Sequence, residues 1–486
     1  MTTDADAAGL RLSSAGDYHF LQGLLGGLVF RPWFDALALH VVAQWYLPLS
    51  RGWAAALAAE GSPERFREAL GGADLAASRL QPLLDGVLQR QAVYQDANQA
   101  WEALFFKDGV ADHARLIAAE EARHGAAHEL MAARRSFLRI RNALPAARWE
   151  IAQPADLDGS RHVARLTSPE AAFPAPDIPT VEVSQRVAGA HGRDYWLRFR
   201  SPVMGDMAWA RVTEPEGQAA EAAPSVIYLH GIGMEADMWR GMAGPVERLT
   251  DAGVRVISPE APWHGRRRLP GYYGGEPAIG RGPIGLIELF EAGVAEVAVL
   301  IDWARKTSCG AVAIGGVSLG ALTAQRAASA SRFWPEALRP QAILLVATSG
   351  DLLALAERGS LVCRLGLDRR LEAAGWDREA LTGWLPLLEP EMDPAAGSPP
   401  GSSQVPPQGP PQGPPLPPER IIMVLGSHDD LTPYSGGQAL ARAWGLPQDN
   451  LVVRRQGHFS TSLGLLRESA PLDRFAALLK TISGGP

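Results

Sequence analysis

From Thr180 onward, short apolar runs alternate with stretches of helical periodicity, and this alternation restricts the fold more than any other feature of the chain. The runs are Val226-Ile-Tyr-Leu229, Val254-Arg-Val-Ile257, Val312-Ala-Ile314, Ala342-Ile-Leu-Leu-Val346, Ile421-Ile-Met-Val-Leu425 and Leu451-Val-Val453. Strands so poor in polar residues must be buried on both faces, and strands joined through helices lie mostly parallel. Three earlier segments, Thr180–Val183, Tyr195–Phe199 and Met207–Val212, are broken by Gly and Pro and read as leading strands of the same sheet.

Before residue 150 the periodicity is different. Leu80, Leu83, Leu84, Val87 and Leu88 recur at spacings of three and four, and strand signals are nearly absent between Tyr18 and Leu144. Pro82 is expected in the first turn of its helix, where a missing N–H costs nothing. The expected organisation is a helical region over 1–150, a linker with the leading strands over 151–224, and an α/β domain over 225–486. An insertion over 350–418 interrupts that domain. Its first part is amphipathic, and its end, Pro394–Pro418, repeats Pro-Gln-Gly-Pro and reads as a disordered or polyproline linker.

With 486 residues, 47% of them hydrophobic and 20% charged, the chain can bury a large core. Its net charge of −7 argues against a nucleic-acid surface. Cys309 and Cys363 are too few for a disulfide framework or a zinc cluster, which points to a reducing, cytoplasmic compartment. The acidic start, Met-Thr-Thr-Asp-Ala-Asp, lacks the positive region of a signal peptide. The apolar stretch Ala36–Leu49 is too short to span a bilayer and is interrupted by His40 and Gln44. It reads as a buried helix; the alternative is a helix lying on a membrane surface, giving the N-terminal helices a peripheral membrane contact.

The chemistry-bearing residues sit where the strands end. Gly316-Val-Ser-Leu-Gly320 follows one strand and opens a helix, so Ser318 stands on a tight turn between small neighbours as a nucleophile, and the next amide, Leu319, faces a developing oxyanion. His230-Gly-Ile-Gly233 ends an earlier strand and offers the Ile232 amide as a second donor. After Ile421–Leu425 comes Gly-Ser-His-Asp-Asp-Leu-Thr-Pro433, in which Asp429 is preferred over Asp430 as the acid that orients a histidine. That histidine is His458, expected in a loop after the strand Leu451–Val453, from which it can swing over the sheet.

Glu121-Ala-Arg-His124 has the spacing of a di-iron carboxylate motif, but no second copy accompanies it. With His128 one turn on, it reads as a solvated helix face, and no metal or organic cofactor is needed. Trp263-His-Gly-Arg-Arg-Arg-Leu-Pro270 emerges at the carboxyl end of the sheet. Two readings of it stand open. Trp263 and Arg266, with Arg240, line the cleft and hold an anionic group of the substrate, or the arginines pair with Glu260 and Glu276 on the surface.

The order Ser, Asp, His on these elements resembles the α/β-hydrolase superfamily from about Thr180 to the C-terminus. Phe199-Arg-Ser-Pro202, Met234-Glu-Ala-Asp-Met-Trp-Arg240 and Ser258-Pro-Glu-Ala-Pro-Trp-His-Gly-Arg266 are similar, more narrowly, to the family of α/β-hydrolase-domain-containing protein eighteen. That family's elbow has Ile-Ser-Met-Gly-Gly where this chain has Val-Ser-Leu-Gly-Ala, and the likeness does not reach the helical N-terminus. The resemblance implies an α/β-hydrolase fold with a cap, and a serine hydrolase that cleaves small-molecule or lipid carboxylic esters through a Ser318, Asp429, His458 triad. An acyltransferase, thioesterase or peptidase would use the same residues, and a non-catalytic scaffold that binds a partner through its N-terminal helices is the reading of a different class.

Overall fold

Alternate side chains of the central strands enter two separate cores, and this sorting fixes the layers of the molecule. The structure is a computed structural model of the chain, and it describes residues 12, 32–72, 75–107, 109, 111–157, 159–217, 219–234, 244–390 and 414–484. Its single sheet contains β1 (Glu182–Val183), β2 (Val187–Ala188), β3 (Arg193–Arg200), β4 (Met207–Glu214), β5 (Ser225–Leu229), β6 (Arg255–Pro259), β7 (Val312–Val317), β8 (Ile343–Val346), β9 (Ile421–Gly426) and β10 (Leu451–Arg454). In β5, Ile227 and Leu229 join the core on one face, while Val226 and Tyr228 join the core on the other. The strand order is β1-β3-β4-β6-β5-β7-β8-β9-β10, with β2 paired to β3. From β6 to β10 all pairings are parallel; β4 meets β6, and β3 meets β4, antiparallel. The chain runs from β5 out to β6 and back across to β7, so the winding reverses at β5. A crevice opens there at the carboxyl ends of the strands, where an open α/β sheet holds its site.

Ahead of the sheet lie α1 (Pro32–Val41), a π-turn (Val42–Tyr46), α2 (Leu47–Ala59), α3 (Ala77–Phe105) and α4 (His113–Ala132). In the sheet domain, α5 (Gly244–Asp251) and α13 (Ala470–Gly484) cover one face through Leu249, Leu472 and Phe475. The other face is covered by α6 (Pro283–Thr307) and α7 (Leu319–Ser331). The described part of the insertion forms a helical cap of α8 (Leu352–Arg358), α9 (Ser360–Leu365), α10 (Leu367–Ala373) and α11 (Arg378–Trp384). Proline-rich residues 394–413 lie outside the described residues, and beyond them Leu416 packs against the main core. A seven-residue helix, α12 (His458–Gly464), follows β10.

Two expectations for the N-terminal region need correction. Pro82 is the sixth residue of α3, which begins at Ala77, so it lies in the second turn and removes the bond to the Ser78 carbonyl. The helix starts earlier than its apolar pattern because Ala77, Ser78 and Arg79 extend it outward. The stretch Ala36–Leu49 is buried along one side only, through Leu39 and Ala43, until burial becomes continuous at Leu47; Leu37, Val41 and Trp45 are 50%, 45% and 40% exposed, and with Trp33 they follow a spacing of four along the other side. Among the described residues no helix is long and apolar enough to cross a membrane.

The arginine run explains how this helical region is held. Arg266 pairs with Glu260 and sits over the adjacent rings of Trp101 (α3) and Trp209 (β4), 4.9 Å from each. Arg267 is buried between Asp206 and Glu296, and Arg268 stacks on Trp53 of α2 at 4.4 Å. Trp101 also meets Trp196 of β3 edge to face at 5.2 Å. Glu276 pairs not with this run but with Arg51 of α2, at 3.5 Å, and accepts the Arg148 and Tyr273 amides. Arg51 and Glu276 are 1% and 0% exposed, so together with the Gly271 and Ala69 carbonyls that Arg51 also meets, each offsets the other's loss of water. Arg51→Met should therefore lower stability by about 3–5 kcal/mol in urea unfolding, and Glu276→Gln in the same chain should recover part of it. A loss below about 1 kcal/mol would mean that the pair does not hold the helices down.

Candidate active site

The turn after β7 is the most constrained piece of backbone in the crevice. Ser318 has φ 56°, a left-handed conformation that costs a non-glycine residue on the order of 1–3 kcal/mol. A Cβ on Gly320 would stand 2.2 Å from the Leu229 carbonyl oxygen, and one on Gly316 would stand 2.6 Å from it. Only glycine at both positions lets the turn press against the end of β5. The result lifts Ser318 Oγ above the sheet at the start of α7, where the first helical amides have no acceptor within the helix.

His458 comes to this serine from α12. It is the first residue of that helix and not a loop residue, which corrects the expectation for its setting. A helical side chain leans toward the N-terminus, so from the first position the imidazole points past the helix start and over the sheet. Its Nε2 lies 2.9 Å from Ser318 Oγ, and its Nδ1 lies 2.8 Å from Asp429 Oδ2. The other oxygen of Asp429 accepts the Leu431 and Thr432 amides at 3.0 and 2.9 Å, and the Thr432 hydroxyl reaches Oδ2 at 2.9 Å. Asp430 points elsewhere, taking the Ser360 hydroxyl of the cap at 2.9 Å. Burial works to lower the His458 pKa, but the charge and hydrogen bond of Asp429, with Asp35 and Asp430 behind, raise it above the ordinary value.

The His230–Gly233 turn stands directly opposite, with a Cβ position at Gly231 only 3.6 Å from Ser318 Cβ. Two histidines lock it. His230 Nε2 accepts the Ala261 amide at 3.0 Å, and His264 Nε2 accepts the Gly233 amide at 3.3 Å. His264 donates its other ring N–H to the Pro262 carbonyl, and burial followed by the nearby His230 holds its pKa well below the ordinary value. It is therefore neutral, as an acceptor must be. Tyr46 of the π-turn donates to the Gly233 carbonyl at 2.7 Å, so the N-terminal region also fixes this turn. Ile232 borders the two cavities that meet at Ser318, and Leu319 follows the serine directly.

Two of the residues expected to bind substrate, Trp263 and Arg266, are not in this crevice. Trp263 is buried in the main core with φ 64° and lines a separate polar cavity with Arg161 and Arg267. Arg266 is spent on Glu260 and the tryptophans, so neither residue borders the cavities at Ser318. Arg240 lies outside the described residues. Thr432, His264, Tyr46 and Asp35 have no role in the sequence reading. His264 and Thr432 lie inside segments quoted there, but Tyr46 and Asp35 come from a region that carries no motif.

The chain belongs to the alpha/beta hydrolase family, whose model matches residues 226–478. Among solved structures it is similar to acetyl xylan esterase 1 from Thermoanaerobacterium sp. JW/SL YS485, at 15% identity and a TM-score of 0.41, covering 66% of this chain and 96% of that one. It is also similar to an S-formylglutathione hydrolase from Agrobacterium tumefaciens, at 15% identity and a TM-score of 0.36, covering 61% and 99%. A hyperthermophilic esterase from the archaeon Pyrobaculum calidifontis is similar at 16% identity and a TM-score of 0.35, covering 82% and 98%. No curated protein matches the chain.

Only neutral His458 can take the proton of Ser318, so kcat/KM should fall as pH drops through a pKa above the ordinary imidazole value of about 6.5. Asp429→Asn should lower kcat by roughly 10⁴, whereas Asp430→Asn should change it only a few-fold. Equal losses for the two variants would show that Asp429 does not orient the base alone.

Proposed function

We propose that the protein is a serine hydrolase that cleaves carboxylic esters through an acyl-enzyme on Ser318. The observation that carries this reading is the unbroken hydrogen-bonded line from Ser318 Oγ through His458 to Asp429. Ser318 Oγ attacks the ester carbonyl while its proton passes to His458 Nε2, and the carbonyl oxygen takes the negative charge. The amides of Ile232 and Leu319 receive that oxygen. On collapse the C–O bond to the alcohol breaks, and His458 returns the proton to the leaving oxygen. Water then repeats the sequence: its proton goes to His458, its oxygen attacks the acyl carbon, and the acid departs as Ser318 recovers its proton. Asp429 stays ionised throughout and stabilises the imidazolium.

A fluorophosphonate probe should label the intact protein on Ser318, and Ser318→Ala or His458→Ala should abolish labelling. Each variant should lose roughly 10⁶ in ester turnover, and the double variant little more, because the residues act as one unit. A protein that used this fold as a scaffold would take no label and hydrolyse none of the esters, and that result would defeat the proposal.

A further inference from the structure

Resting on the ester-hydrolase reading, we propose that the cavity under the cap holds the acyl chain and the cavity beside His458 holds the alcohol, making medium-chain acyl esters the substrates. The first cavity has a volume of about 160 Å³ and is walled by Leu286, Leu322, Leu352, Leu365, Leu371 and Leu385, among others. Among the described residues its only polar side chains are Ser318 and Thr432, both part of the catalytic end. The second has a volume of about 360 Å³ and is lined by His458, Ser462, Tyr46 and Tyr228 together with apolar side chains such as Leu47 and Phe459. Proton transfer decides which half of the ester enters which. The leaving oxygen must take its proton from His458 Nε2, so the alcohol lies in the cavity that His458 borders. The acyl carbon remains bonded to Ser318, and its chain is left with the leucine-walled cavity. Nothing along that wall can hydrogen-bond or pair with a charge, so the chain must be hydrocarbon. A cavity of about 150 Å³ accommodates benzene, so a space of this size takes about six to eight chain carbons.

The test is hydrolysis of p-nitrophenyl esters from acetate to palmitate by the full chain. The kcat/KM should climb by about fourfold per methylene and fall beyond six to eight carbons. Leu365→Trp, at a half-buried position on the wall, should lower the octanoate-to-acetate ratio by about tenfold or more. A wild-type protein that hydrolyses these esters with a flat profile, or one that falls from acetate onward, overturns the cavity assignment alone. A wild-type protein inactive on every ester defeats the ester reading and this inference with it.

A different observation carries a second inference: the structure assigns Asp35 of α1 as a positioning residue for His458. The N-cap of the helix that bears His458 is Gly457, which has no side chain with which to cap it. Asp35 supplies the cap from the N-terminal region. Its carboxylate accepts the Gly457 amide at 3.2 Å, the Ser460 amide at 2.9 Å and the Ser460 hydroxyl. A Cβ at residue 457 would fall 2.5 Å from Asp35 Cγ, so glycine there is what admits the carboxylate. The residue that follows this cap is His458, and its aim at Ser318 depends on where the helix begins.

Asp35→Ala should lower kcat by about five- to tenfold with little change in KM, and Asp35→Asn, whose amide oxygen still caps, should restore most of it. Asp35→Asn should also move the acid limb of kcat/KM to lower pH. Of the carboxylates that favour the His458 imidazolium, only Asp429 and Asp430 then remain. If Asp35→Ala leaves kcat and the acid limb within about twofold of wild type, the assignment is overturned. Should Asp35→Ala fail to fold, an unmoved acid limb in Asp35→Asn overturns it equally.

Discussion

The left-handed turn at Ser318 is the constraint on which the site depends. It exists because β5 and β7 are neighbours and because Gly316 and Gly320 let the turn sit against the Leu229 carbonyl. Its strain, on the order of 1–3 kcal/mol, is offset by α7, whose buried face packs against the sheet along its whole length. With the serine held there, the other groups need only arrive from adjacent strand ends. The turn after β5 brings Ile232, the loop after β9 brings Asp429, and the helix after β10 brings His458. Each is anchored by hydrogen bonds that do not involve a substrate, as a preorganised site requires.

The N-terminal helices are built into this arrangement. They are fastened to the sheet domain by the Arg51–Glu276 pair and by arginines at 266 and 268 stacked on Trp101, Trp209 and Trp53. They also reach the crevice at Ser318, through Tyr46 on the Gly233 carbonyl and Asp35 on the start of α12. Tyr46, which borders the larger cavity, thus belongs to a region with no catalytic motif of its own. The outward side of α1, with Trp33, Leu37 and Val41, is exposed while its inward side touches α12.

Much of this was legible in the sequence. Buried parallel strands announce themselves as polar-free runs, and the glycines and serine of a strained elbow occupy fixed spacings, so the sheet and the elbow could be read directly. His458 was legible by chain order, although its place at the head of a helix was not, because Gly457 carries no capping side chain. The arginine run offers a choice between a cleft and a surface pairing with Glu260 and Glu276; Arg266 does pair with Glu260, but buried, and Glu276 goes to Arg51. The run's partners Trp101, Trp209, Asp206 and Glu296 are scattered over nearly 200 residues, and only the fold brings them together. Asp35 escaped for the same reason: its partners lie 422 and 425 residues away.

In the proposed reaction an acyl group passes through Ser318. The most direct measurement is to mix the protein with p-nitrophenyl octanoate, quench in acid within the first turnovers, and map the peptides by mass spectrometry. The expected result is an octanoyl group on Ser318 that disappears on further incubation at neutral pH. Ester turnover without any such adduct, or with the acyl group on another residue, would contradict the account.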